Sequence, residues 1–129
     1  MIVLDTHAWV WWLSGKERIP KKALRTLERA PRLGIAAISP WEVAMKSEAK
    51  KLRLDRPHSL WIEAALAADP RLELLPLSPR ISILAAEFSW KHADPADRMI
   101  VATAYAYEAV LITADEAMQT AGIVKCIWD

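Results

Sequence analysis

Four carboxylates stand where short apolar runs give way to polar sequence or where helices open: Asp5 after Ile2-Val3-Leu4, Glu42 in Ser39-Pro40-Trp41-Glu42, Asp97 in Asp94-Pro95-Ala96-Asp97, and Asp115 after Val110-Leu111-Ile112-Thr113. Brought to one point, such a set repels itself unless a divalent cation sits among the oxygens. An oxygen-rich, thiolate-free set suits Mg²⁺ or Mn²⁺ rather than zinc. Little else in the chain offers metal or nucleophile chemistry. One cysteine, Cys126, and three widely spaced histidines, His7, His58 and His92, exclude an intramolecular disulfide and argue against a Cys/His zinc site. The histidine spacing gives no support to paired acid–base catalysis either.

Taken singly, three of the acids have a simpler explanation. Glu42 completes a capping box with Ser39, Asp97 sits in the first turn behind Asp94-Pro95, and Asp115 lies in Thr113-Ala114-Asp115-Glu116, itself a capping-box pattern. The helix dipole favours acids there by roughly 0.3–1 kcal/mol each, without any function. Asp5 differs, because a carboxylate that ends a buried strand and precedes an apolar helix is poorly solvated and needs a partner. Convergence separates the two explanations: four independent caps have no reason to point at one spot.

The elements that would position these acids follow from the spacing of apolar residues. Ile2-Val3-Leu4 reads as a buried strand, and Thr6 to Leu13, with Trp9, Trp11 and Trp12, as a helix apolar all round. A helix after Pro20 buries Ala23, Leu24, Leu27 and Ala30; Leu33 to Ile38 is a second strand. Ser39-Pro40 opens a third helix with the apolar stripe Trp41, Met45, Ala49, Leu52. Then come helix His58 to Ala68, strand Leu72 to Leu75, and a helix from Ser78-Pro79 with Ile81, Leu84, Ala85 and Phe88 on one face. A central helix runs from Asp94-Pro95 to about Glu108, followed by strand Val110 to Thr113, a short helix Asp115 to Thr120, and a last strand Ile123 to Trp128. Strands alternating with helices throughout predict an α/β fold: an open, mostly parallel sheet with helices on both faces. In such sheets the ligand site lies outside the carboxyl ends of the strands, which is where the acids fall.

Composition bounds this reading. At 129 residues, 53% hydrophobic and 26% charged, with mean hydropathy +0.09, the chain is expected to form one domain over residues 1–129 and is too apolar to be disordered. No apolar run approaches the roughly 20 residues of a membrane span, and no basic leader precedes an apolar stretch, so a cytoplasmic protein is expected. Charge is polarised: residues 16–56 hold 12 of the 17 Lys and Arg but 5 of the 16 Asp and Glu. A basic segment beside an acidic remainder suits a bound polyanion, although most of these cations also read as the wet faces of two amphipathic helices.

The segments Leu4-Asp5-Thr6-His7, Ser39-Pro40-Trp41-Glu42-Val43-Ala44, Asp94 through Ala104 and Leu111-Ile112-Thr113-Ala114-Asp115 resemble the motifs of PIN-domain ribonucleases, and in length and wording are most similar to VapC-type toxins of toxin–antitoxin pairs. The resemblance spans nearly the whole chain with all four acids in order. It implies a PIN-like three-layer α/β/α sandwich. Asp5, Glu42, Asp97 and Asp115 become the acidic quartet that holds one or two Mg²⁺ or Mn²⁺ ions for RNA phosphodiester hydrolysis, with the Thr113 hydroxyl in support. It further implies a cognate VapB-type antitoxin protein that blocks the site, and usually a toxin homodimer. Arg98 is a candidate contact for substrate phosphate, with a surface ion pair as its plainer role. Met118 stands where relatives often carry an aromatic residue. Trp9, Trp11, Trp12 and Trp41 read as core or interface rather than as base-stacking platforms, and His7 as a helix-start histidine making an ordinary hydrogen bond. Two other classes share parts of this pattern. A phosphoacceptor receiver domain wants paired acids after strand one and a lysine ending a late strand, whereas this chain has Asp5 alone and Lys125 in mid-strand. A non-catalytic RNA- or protein-binding module on the same fold is separated from a nuclease only by metal-dependent turnover.

Overall fold

A computed structural model describes residues 1–129. Five strands form one sheet: β1 (Ile2–Leu4), β2 (Leu33–Ala36), β3 (Leu72–Leu75), β4 (Val110–Ile112) and β5 (Cys126–Ile127), in spatial order β3-β2-β1-β4-β5. Every pairing is parallel, so the sheet is wholly rather than mostly parallel. β1 is the central strand, with Leu4 opposite Ile35 of β2 on one side and Ile112 of β4 on the other. Seven helices surround it: α1 (Thr6–Ser14), α2 (Lys21–Arg29), α3 (Ile38–Glu48), α4 (His58–Ala67), α5 (Pro79–Glu87), α6 (Pro95–Ala106) and α7 (Glu116–Ala121).

Alternation along each strand distributes its side chains between two cores. Leu4, Leu33, Ile35 and Ile112 pack with Ala8 and Trp9 of α1, Leu27 of α2 and Trp61 and Ala65 of α4. Val3, Ala36, Leu75 and Leu111 pack on the opposite face with Ile100, Val101 and Ala104 of α6 and Met118 of α7. The helix–sheet–helix layering follows directly. Full burial of a Leu or Ile in either layer contributes roughly 1.5–3 kcal/mol, and the parallel strands read as unbroken apolar runs because both faces are covered. α5 lies outside α6 and packs Ile81 and Ala85 against Ala102.

Several local expectations change. The second strand stops at Ala36 and α3 begins at Ile38, so Ser39 lies inside the helix and makes no cap to its backbone. Pro40 still falls among the first N–H positions of the helix, where a missing donor costs no intrahelical bond. The buried face of α3 is Ser39, Glu42 and Val43, at i, i+3 and i+4; of the expected apolar stripe, Trp41 (54% exposed) and Met45 (37%) face out, and Leu52, beyond the helix end, packs against the core. The inward face tolerates two polar residues because the first residue of α1 supplies their partner, as the site shows. Strand β5 is shortened to two residues, and Tyr105 of the central helix is exposed.

One arginine secures a helix end that sequence does not flag. Arg71 Nη1 donates to the carbonyls of Leu27 (2.9 Å) and Ala30 (2.8 Å) at the end of α2, while Nε and Nη2 fork onto Asp69 (3.1 and 2.8 Å). These are carbonyls that a helix terminus leaves without partners. Arg71→Met is expected to lower unfolding free energy by about 2 kcal/mol, by loss of charge-assisted hydrogen bonds to partly buried acceptors. Urea denaturation checks this; a midpoint equal to wild type would show that water replaces the guanidinium without cost.

Candidate active site

The pairing of β1 with β4 decides where the acids meet. Asp5 follows β1, its backbone N–H extends the ladder to Ile112 O (2.9 Å), and it serves as N-cap of α1, with Oδ1 accepting from Thr6 N at 2.8 Å. Its other oxygen, Oδ2, accepts from the Thr113 hydroxyl at 2.7 Å. Thr113 Oγ1 in turn accepts from the backbone N–H of Asp115 at 3.0 Å, so one buried hydroxyl ties the ends of both strands together. Asp115 caps α7 through Oδ1, which accepts from Met118 N at 2.9 Å. Its capping role and its place in the site are therefore the same fact. Met118 itself is fully buried, so the non-aromatic residue at that position fills the layer beneath Asp115.

Glu42 arrives from α3. Its Oε1 accepts from the Thr6 hydroxyl at 2.5 Å, and Thr6 Oγ1 also lies 2.9 Å from Ser39 Oγ. A hydroxyl has one proton; with that of Thr6 committed to the carboxylate, the Ser39 hydroxyl donates to Thr6. This triad replaces the capping box that the sequence spells. Lys46 Nζ stands 3.7 Å from Glu42 Oε2 and is the one ammonium paired with an acid of the set.

Asp97 comes from the first turn of α6, where Asp94 rather than Asp97 caps the helix, accepting from Ala96 N (2.9 Å) and Asp97 N (3.3 Å). Asp97 is freed for a different contact: Oδ2 lies 2.6 Å from His92 Nε2. His7 meets the site as well. Its Nε2 accepts from Ala114 N at 3.0 Å, which puts the ring proton on Nδ1, 3.3 Å from Asp5 Oδ2. The ordinary helix-start hydrogen bond expected for His7 is present, and it also fixes the tautomer that faces Asp5.

The four acids feel one another. Asp5 is 4% and Glu42 5% exposed. Burial pushes the Asp5 carboxyl from 3.8 to about 6, with the charge of Asp115 adding to the rise and the bonds from Thr113 and Thr6 opposing it. Asp97 is likewise raised to about 6, first by burial and then by Asp94, Asp5 and Asp115, against the bond from His92. Burial also raises Glu42, opposed by Thr6 and Lys46. His7 is held below its usual range by the same burial. The nearby thiol of Cys126 is pushed up to about 11 and offers no thiolate. Crowded, partly desolvated carboxylates with a single half-exposed ammonium beside them have the donor chemistry of a hard divalent-cation site. No three His, Cys, Asp or Glu side chains are, however, already arranged to hold an ion; the carboxylates converge without forming a closed cage.

Arg98 is placed elsewhere than expected. Its guanidinium donates to five backbone carbonyls: Nε to Ala85 (2.7 Å), Nη1 to Trp90 (2.5 Å) and His92 (3.2 Å), Nη2 to Phe88 (2.7 Å) and Ala86 (3.4 Å). All five N–H donors of an arginine are thereby spent inside the protein, so neither a phosphate contact nor a surface ion pair describes it. Trp9 and Trp12 are core as expected, while Trp41 is exposed beside Glu42, lining a groove with Ile38, Met45, Pro95 and Met99. Sequence reasoning did not find the contacts of Thr6, His92 or Lys46 with the acids. Lys46 four residues after Glu42 was a readable i, i+4 pair; Thr6 and His92 carried no signal beyond lying near Asp5 and Asp97.

A wholly parallel sheet covered on both faces, with acids collected above the carboxyl ends of β1 and β4 and at the starts of the adjoining helices, defines a three-layer α/β/α protein of PIN type. The PIN domain model matches residues 2–123, and the chain belongs to the PIN-domain family. It is 32% identical over 119 residues to Ribonuclease VapC22 of Mycobacterium tuberculosis, covering 92% of this chain and 90% of that protein. Among solved structures it is similar to VapBC2 from Rickettsia felis bound to a DNA fragment from their promoter (TM-score 0.72, 19% identity, all of both chains). It is similar too to DNA-bound VapBC from Salmonella typhimurium (TM-score 0.71, 20% identity, 98% and 96% of the two chains). No helix is long and apolar enough to cross a membrane.

Proposed function

We propose that this chain is a metal-dependent endoribonuclease, the toxin of a toxin–antitoxin pair, which hydrolyses RNA phosphodiester bonds at the acidic site. The observation that carries the proposal is the convergence of Asp5, Glu42, Asp97 and Asp115, from four separate segments, at one end of the sheet. Similarity to a VapC ribonuclease over nine-tenths of both chains supports the activity. Likeness to the VapBC structures supports assembly with a VapB-type antitoxin protein; a homodimer in solution belongs to the same proposal and rests on the family resemblance alone.

Asp5, Asp97 and Asp115 would hold Mg²⁺ or Mn²⁺, with Glu42 as a further ligand or as the group that orients the attacking water. When bound, the ion supplies Lewis-acid chemistry, lowering the pKa of water and stabilising charge on the departing oxygen. Thr113 and the Thr6 N–H hold the two oxygens of Asp5 in fixed directions, and His7 Nδ1–H limits its rotation. The Thr6 hydroxyl fixes Oε1 of Glu42 and leaves Oε2 to orient water. Lys46, half exposed beside Glu42, takes the phosphate-holding role that Arg98 does not fill. The groove lined by Trp41, Met45 and Met99 opens beside Glu42, where an apolar antitoxin segment would cover the site.

The decisive experiment is incubation of total RNA, tRNA included, with purified antitoxin-free protein and Mg²⁺ or Mn²⁺, beside an EDTA control. Discrete cleavage that requires metal is expected. The alternative is a non-catalytic RNA- or protein-binding module on the same fold. Metal binding by folded protein without cleavage of any RNA class would select it.

A further inference from the structure

Asp97 is the acid of the set whose side chain is held by neither a helix cap nor a hydroxyl. Its partner is His92, five residues earlier in the segment that joins α5 to α6, at 2.6 Å. An ionised carboxylate only accepts, so Nε2 carries the proton of this bond. The bond uses Oδ2 and leaves Oδ1 to face a ligand.

A joining segment without regular structure is a poor place from which to aim a side chain, unless something rigidifies it. Here Arg98 does so. Its forked donors take the carbonyls of Phe88, Trp90 and His92, while Nε and Nη2 also grip Ala85 and Ala86 at the end of α5. The indole of Trp90 lies over the guanidinium (5.9 Å), and the His92 ring stacks on Trp90 with centroids 4.7 Å apart and planes 19° from parallel. Arginine, tryptophan and histidine form one stack that ends on Asp97 Oδ2. Such an outer contact fixes the orientation of a ligating carboxylate, and its loss typically weakens metal affinity about 10- to 100-fold.

We propose that His92 is a positioning residue for Asp97, and that the Arg98–Trp90 platform exists to hold its imidazole in place. This rests on the metal-site reading above, and the test separates the two. His92→Phe keeps a ring to stack on Trp90 but removes the donor; His92→Gln keeps an N–H donor and gives up the aromatic stack. Mn²⁺ binding is measured by calorimetry or electron paramagnetic resonance on antitoxin-free protein, with folding of each variant verified by circular dichroism and melting. Wild type is expected to bind, His92→Phe to bind about 10- to 100-fold more weakly, and His92→Gln to recover a substantial part of that loss. Equal affinity of His92→Phe and wild type would overturn the positioning role, as would a loss in His92→Gln as large as that in His92→Phe. Failure of wild type to bind Mn²⁺ at all would instead overturn the metal-site reading.

Discussion

Asp5→Asn is expected to abolish metal-dependent RNA cleavage and, in chelator at neutral pH, to make the protein more stable than wild type. Both effects come from the same burial. The carboxylate lies at the middle of the sheet with a hydroxyl, a backbone N–H and a neutral imidazole around it, but no bonded cation. Its rise from 3.8 to about 6 means that ionising it in the folded protein costs about 3 kcal/mol more than in the unfolded chain. Asparagine removes that cost. Its Oδ1 can keep the Thr6 N–H, and its amide can donate to Thr113 Oγ1, whose proton then turns toward Met118 Sδ, 3.6 Å away. The imidazole of His7 loses an acceptor, which offsets part of the benefit, so a gain of about 1–3 kcal/mol is expected.

The pH dependence follows with a definite sign. Because the folded protein holds these protons more tightly than the unfolded chain, wild-type metal-free protein loses stability as pH rises from about 4 through about 6, the range set by Asp5 and Asp97. Asp5→Asn should flatten that slope, and added Mn²⁺ should reverse it for wild type by binding the ionised acids. Thermal melts at pH 5 and pH 7.5, with and without metal, measure all three. Retained cleavage by Asp5→Asn would remove Asp5 from the chemistry, and a variant less stable than wild type in chelator would show that the carboxylate is a structural cap above all.

Arg98→Ala is expected to cost about 3 kcal/mol or more of stability, with a fall in melting temperature on the order of 10 °C. The substitution strips five carbonyls of a charge-assisted donor at once, including those at the end of α5. It also removes the support of the segment that carries His92. Arg98→Lys should recover little, since a single ammonium with three donors cannot span acceptors distributed around a planar fork. The contrast with a phosphate-binding arginine is measurable. A residue holding substrate would leave the melting temperature unchanged on substitution and would reduce the salt dependence of RNA binding. Denaturant melts of the two variants beside a salt titration of RNA affinity distinguish these outcomes.

Much of the fold was legible from local pattern. Three short β-branched or leucine-rich strands, the helix starts at Ser78-Pro79, Asp94-Pro95 and Asp115, and the Gly122 stop at φ 65° all depend on residues within a turn of one another. The structure realises each of them. Ser39-Pro40-Trp41-Glu42 shows the limit of such reasoning. Its spacing is that of a capping box, yet the helix starts two residues earlier, at Ile38, and both side chains turn inward to Thr6. The signal was sound chemistry for an isolated helix. It lost to a buried hydroxyl contributed from 33 and 36 residues away.

The sequence by itself determined the order of strands and helices, the α/β class and the four acids worth attention, because periodicity, caps and carboxylate chemistry are written in neighbouring residues. Only the tertiary structure decided that β1 lies between β2 and β4, that Thr113 reaches Asp5 across 108 residues of chain, that Arg98 is consumed by backbone carbonyls, and that His92 holds Asp97. Those facts depend on which strand pairs with which and on where a buried donor finds its acceptor. Such choices are made by the burial of whole faces at once, so no short stretch of sequence contains them.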